Sequence, residues 1–100
     1  MKMIEAVIKP VKLEEVTSAL EKMGIADFME STIFCHGSQK EPSRFYRGAE
    51  YVSDFVEKVK LEIIASDDTV GRIIEAIGSI AKTERREDCR IFVLSFLESS

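Results

Sequence analysis

The sequence has no tryptophan and no asparagine, and only one histidine, two cysteines and two prolines in 100 residues. Each scarcity excludes something. Cys35 and Cys89 are too few for a disulfide framework and lack the paired spacing of a zinc site, so both are expected as reduced, partly buried thiols. One histidine, with no HExxH or GxSxG pattern, leaves no nucleophile and base at a working spacing, and the chain is expected not to be an enzyme. Apolar runs fall well short of a membrane-crossing helix, and Glu5 interrupts the N-terminal stretch where a signal peptide would stay apolar. A cytoplasmic location is the expectation. Positive charge is also short: 14 lysines and arginines face 18 aspartates and glutamates, for a formal net charge of -4. Every basic cluster is interleaved with acids, which argues against a nucleic-acid surface.

What is present fits one globular unit. Hydrophobic residues make up 45% and charged residues 32%, and the length suits a single domain over residues 1–100. Met3 to Lys9 reads as a strand stopped by Pro10. Leu13, Val16, Leu20 and Met23 then recur at helical spacing up to Gly24. Phe28 to His36 reads as a second strand, and Val59 to Ala65 as a third that begins earlier, near Tyr51. Ser66, Asp67 and Asp68 are expected to cap a second helix carrying Val70, Ile73, Ile74, Ile77 and Ile80 to about Lys82. Arg90 to Leu97 closes the unit as a fourth strand.

An internal echo supports this order. A shift of 57 positions lays Ile4 on Leu61, Glu5 on Glu62, Leu13 on Val70, Val16 on Ile73 and Leu20 on Ile77. Two such halves give an α+β fold of ferredoxin-like βαββαβ order, an antiparallel sheet with two helices on one face. The bare face carries apolar residues from the first and last strands, so burial at about 25 cal/mol per Å² favours self-association.

Between the second and third strands runs Gly37 to Tyr51, GSQKEPSRFYRGAEY, without apolar periodicity. A connection of this length is either functional or locally lacking order. Three stretches here, IEAVIKPVKLEEVTSALEKMGI, YRGAEYVSDFVEKVKLEI and DDTVGRIIEAI, resemble the PII nitrogen-regulatory signal-transduction family, in unbroken register from Met1 to about Thr83. The resemblance implies a homotrimer that binds an adenine nucleotide, ATP, ADP or AMP, in clefts between subunits. It also implies a loop, the T-loop of that family, at about residues 37–51, which reaches a partner membrane transporter or metabolic enzyme.

Position by position, the resemblance puts Gly37 and Gln39 at the loop base against the nucleotide, with a magnesium ion met through the glutamine. Lys58 falls where the carboxylate of 2-oxoglutarate is paired, Ile64 where the adenine pocket is lined, and Thr83 where the base is met. Arg90 stands where a lysine meets phosphate, and Tyr51 where some relatives are uridylylated. The family's glycine-rich stretch before the last strand is here Thr83-Glu84-Arg85-Arg86-Glu87-Asp88-Cys89-Arg90, with every glycine gone. Without them the backbone cannot approach phosphate closely, and Arg85, Arg86 and Arg90 are left as side-chain anchors. The tail whose arginines hold phosphate in relatives is short or absent. A PII-like sensor of AMP, ADP, a cyclic nucleotide or bicarbonate, without a 2-oxoglutarate response, is therefore an alternative.

Blander readings stand beside these. Lys58 is equally a polar residue on the solvated side of a strand, and Arg85 and Arg86 equally part of a solvated turn. Cys35 and His36 are adjacent on a strand and point to opposite faces, which argues against a shared metal ion. The second and fourth strands lie at opposite sheet edges, so Cys35 and Cys89 should not meet within one subunit. Among other proteins of this topology, acylphosphatases need an asparagine that is absent here, and RNA-binding modules need aromatics on the inner strands, which have none. Metal-tolerance trimers of the CutA type share the fold but not the YRGAEY loop.

Overall fold

A computed structural model of the chain describes residues 1–36, 44–46, 49–51 and 55–95. Its main sheet has four strands, β1 (Lys2–Ile8), β2 (Phe28–His36), β5 (Phe55–Ala65) and β6 (Cys89–Ser95), in the order β2-β5-β1-β6 with every neighbour antiparallel. Helices α1 (Leu13–Lys22) and α2 (Val70–Ala81) complete the ferredoxin-like α+β arrangement. A separate two-stranded pair, β3 (Arg44–Tyr46) and β4 (Ala49–Tyr51), lies within the long connection.

The pairing shows why one face is core. Ile4, Ala6 and Ile8 stand opposite Ile63, Leu61 and Val59 on one side, and opposite Val93, Ile91 and Cys89 on the other. Residues directly opposite share a face. Of this row Ile4, Ala6, Ile8, Val59, Leu61, Ile63 and Cys89 are buried in one cluster with Val16 and Leu20 of α1 and Ile73, Ile77 and Ala81 of α2, Ile91 packs against it half-buried, and Val93 at the sheet edge is exposed. The intervening positions lie on the face without helices, where Ile64, Phe92 and Leu94 are exposed.

Local chemistry sets the helix ends. A short 3-10 turn, Pro10–Lys12, leads into α1, where Glu14 and Glu15 occupy the first turn and Lys22 the last, each matching the helix dipole. Gly24 adopts φ +82°, and its N–H donates to the Glu21 carbonyl while that of Ile25 donates to Leu20. That left-handed stop suits glycine.

Two expectations need correction, and a third, the end of the last strand at Leu97, lies outside the described residues. The third strand starts at Phe55, not near Tyr51, which belongs to β4. Ser66, Asp67 and Asp68 do not cap α2: Thr69 is its N-cap, no side chain caps it, and its first turn holds no acid. Instead Ser66 Oγ donates to Asp68 Oδ1 at 2.7 Å and Thr69 Oγ1 donates to the Ser66 carbonyl at 3.0 Å, closing a turn ahead of the helix. The cap was misplaced because short polar side chains satisfy their own turn as readily as a helix end. The last strand is described only to Ser95.

Candidate functional site

β5 outlasts β1. Ile8 ends β1 opposite Val59, while β5 continues to Phe55, paired only with β2 through Lys58↔Ile33, Glu57↔Phe34, Val56↔Cys35 and Phe55↔His36. In this arm the buried positions change parity: Val59, Leu61, Ile63 and Ala65 are buried below it, Val56 and Lys58 within it. On the arm's other face Phe34 and Phe55 meet edge to face at 5.0 Å, with the His36 ring 5.9 Å from Phe55.

Lys58 is 2% exposed, so it is not a solvated strand residue. Its ammonium donates to the Glu87 carbonyl at 3.0 Å, tying the loop-bearing arm to the segment ahead of β6. That segment forms a short 3-10 turn, Arg86–Asp88, held largely by its own side chains. Thr83 Oγ1 donates to Asp88 Oδ2 at 2.5 Å, and Lys9 Nζ stands 3.9 Å from the same oxygen. Arg85 places Nε and Nη2 on Glu87 Oε1, each at 3.2 Å.

The electrostatics follow from this geometry. The Thr83 hydroxyl, helped by Lys9, Lys58 and Arg85, holds the Asp88 carboxyl below its ordinary value although the side chain is buried. Glu87 is also held below its ordinary value, first by its own backbone N–H and then by Arg85. Burial pushes the Cys89 thiol up. Both acids are therefore anionic at neutral pH.

Beside this network a groove of about 750 Å³ runs along the start of β6, lined in part by Lys82, Arg86, Arg90, Glu87, Ile91 and Phe92. Lys82, Arg86 and Arg90 form no ion pair with a carboxylate among the described residues. Three cations beside an apolar wall suit an anion attached to an apolar or aromatic body. Glu87 works against a strongly charged one. No group of three or more His, Cys, Asp or Glu residues fit to hold a metal ion occurs among the described residues.

Of the residues singled out from sequence, Lys58, Thr83 and Arg85 come together through Glu87 and Asp88, and Arg90 follows at the rim of the groove. Ile64 stands on the open face four residues beyond Lys60, the residue level with Val7 and Arg90, which is about 13 Å of strand away from that row. Gly37, Gln39 and the Tyr51 side chain lie outside the described residues. Sequence reasoning passed over Asp88 and Lys82, and weighed Glu87 only as an unfavourable charge beside a polyphosphate. Nothing in the charged run Arg85 to Asp88 distinguishes a buried acid from solvated ones. Cys35 and Cys89 are free and on opposite edge strands, as expected. Among the described residues no helix is long and apolar enough to cross a membrane.

Comparison with known proteins agrees with this architecture. The family model described as nitrogen regulatory protein P-II matches residues 1–99. A nitrogen regulatory protein P-II of Bradyrhizobium diazoefficiens is 46% identical over 99 residues, covering 99% of this chain and 88% of that protein. Those of Azospirillum brasilense and Pasteurella multocida are 50% and 45% identical over 93 residues, each covering 93% of this chain and 83% of the relative. With a match that spans the sheet, both helices and the segment from Thr83 to Arg90, the chain belongs to the nitrogen regulatory protein P-II family.

Proposed function

We propose that the chain is a cytoplasmic signal-transduction regulator of nitrogen metabolism that works as a homotrimer. It binds an adenine nucleotide in clefts between subunits and controls a partner transporter or metabolic enzyme through residues 37–51. The observation that carries this reading is the family match across residues 1–99. Exposed Ile64, Phe92 and Leu94 on the helix-free face support self-association, since covering them is favourable by about 25 cal/mol per Å².

In this reading one wall of each cleft is the groove ahead of β6. Arg90, with Lys82 and Arg86, meets the anionic end of the ligand and Thr83 borders the base; Ile64, remote from this wall within one subunit, borders the base from the facing subunit, and Gly37 and Gln39 close the loop base. Arg85 joins only by leaving Glu87. Lys58, anchored on the Glu87 carbonyl, links the groove to the arm that carries the loop. A magnesium ion would have to be held by Gln39 and the ligand itself. Tyr51, in the loop, is the candidate for covalent modification. A ligand that shifts the Glu87 segment biases the arm, and a partner that prefers the other arrangement is released.

Two measurements test this. Native mass spectrometry should give a mass three times 11.3 kDa. Calorimetric titration with ATP, ADP, AMP, cyclic AMP, 2-oxoglutarate and bicarbonate should show heat with at least one adenine nucleotide. An isolated subunit, or silence toward every nucleotide, would remove the ligand-gated reading.

A further inference from the structure

The side chains of the Thr83 to Arg90 segment carry a charge rule. Arg85 is committed to Glu87 by two hydrogen bonds of 3.2 Å, and the Thr83 hydroxyl to Asp88 at 2.5 Å. Asp88 is buried, but the Glu87 side chain is 27% exposed and lines the groove itself. The groove thus offers Lys82, Arg86 and Arg90 without carboxylate partners, and one fixed carboxylate among them. A single phosphate entering the groove finds these cations among its lining residues. Each further negative charge gains no new cation unless the Arg85–Glu87 pair opens, and it meets the Glu87 carboxylate at short range. Selectivity obtained by setting a repulsive group against the wrong ligand is a general device.

We propose that Glu87 is a specificity-determining residue that restricts the groove to ligands carrying a single phosphate, so that this protein reads a nucleoside monophosphate in preference to a triphosphate. The inference rests on the nucleotide reading above. Glu87 acts twice: it occupies Arg85, and its own charge lines the groove that a longer phosphate chain would have to enter. Asp88 assists by occupying Thr83 and by holding Lys9 on the far side of the turn.

The test is calorimetric titration of the full chain with AMP and with ATP, free of magnesium and at fixed ionic strength, for wild type, Glu87→Gln and Glu84→Gln. Wild type is expected to bind AMP about tenfold more tightly than ATP, and Glu87→Gln to strengthen ATP by about tenfold while AMP moves less than about threefold. Glu84→Gln removes the same charge from an exposed residue with no hydrogen bond or ion pair among the described residues and outside the groove lining, and should leave the ratio unchanged. A wild type that prefers ATP, a Glu87→Gln ratio that does not move, or a Glu84→Gln effect as large as that of Glu87→Gln would each overturn the proposal while leaving the nucleotide reading intact. No heat with either nucleotide in any of the three proteins would remove both. Thermal melts of the variants check folding, and Glu87→Gln keeps an acceptor for Arg85.

Discussion

Replacing Asp88 by asparagine tests whether the turn ahead of β6 is held by a buried charge. Asp88 is 4% exposed, accepts from the Thr83 hydroxyl at 2.5 Å and stands 3.9 Å from Lys9. A hydrogen bond to a charged group contributes about 1.5–3 kcal/mol. Lys9 adds little, because its side chain is 41% exposed and exposed pairs are worth about 0–1 kcal/mol. The amide of Asp88→Asn keeps the shape of the carboxylate and loses its charge, so a loss of about 2 kcal/mol is expected at pH 7. Urea unfolding followed by far-UV circular dichroism, at one fixed protein concentration, should read this as a midpoint about 1 M lower. The pH dependence gives a second check. The folded-state carboxyl lies below its ordinary value of 3.8. Its contribution is therefore full above about pH 5 and fades as pH falls through the folded value. The gap between wild type and Asp88→Asn should be constant from about pH 5 to 8 and close on acidification. A variant as stable as wild type at pH 7, or a gap that does not shrink as pH falls below the ordinary value of 3.8, would refute the argument.

Three further outcomes are expected. Lys58→Met removes the donor from the Glu87 carbonyl and should cost about 1–3 kcal/mol, with faster amide exchange over residues 85–88 and 55–58 by mass spectrometry. Leu61→Ala, at a fully buried site between β1 and the helices, should cost about 2–5 kcal/mol in the same urea assay through the cavity it leaves. Cys35, half-buried on an edge strand, should react with iodoacetamide at about pH 8 well before Cys89, whose thiol is buried and pushed up; peptide mapping after partial alkylation reads the order.

The elements that were legible in the sequence are those whose signal is local. Phe28 to His36 was readable as a strand from its β-branched and aromatic residues, and both helices from the spacing of Leu13, Val16, Leu20 and of Ile73, Ile77. The pair Arg44–Tyr46 and Ala49–Tyr51 was not, because three residues are too few for an alternation to show. The site was half legible. Thr83, Arg85 and Arg90 stand out through the resemblance to the PII family. The burial of Lys58 does not, since the alternation of β5 groups it with Lys60 and Glu62, and its cover arrives from a residue 29 positions later. Asp88 is hidden for the same reason: its neighbours in sequence are charged, and its burial comes from packing alone.

The parity change in β5 ties the arm of β2 and β5 to the turn beside the groove. Up to Val59 the sheet has β1 beside it, and burial follows the helices. Beyond that point β2 and β5 form a two-stranded ribbon, and such ribbons are marginal by themselves. Among the described residues two devices hold this one: the Phe34, Phe55 and His36 rings on one face, and the Lys58 bond to Glu87 on the other. The ring contacts belong to the arm alone. The lysine bond instead depends on a carbonyl in the turn where Arg85, Glu87, Thr83 and Asp88 meet, which is also the rim of the groove. Any ligand that moves that turn by more than hydrogen-bond tolerance removes one of two supports from the arm. The residues from 37 onward begin where that arm ends, so under the proposed function occupancy of the groove would reach them through Lys58, and a protein lacking this amine is expected to bind its ligand yet fail to pass the event on.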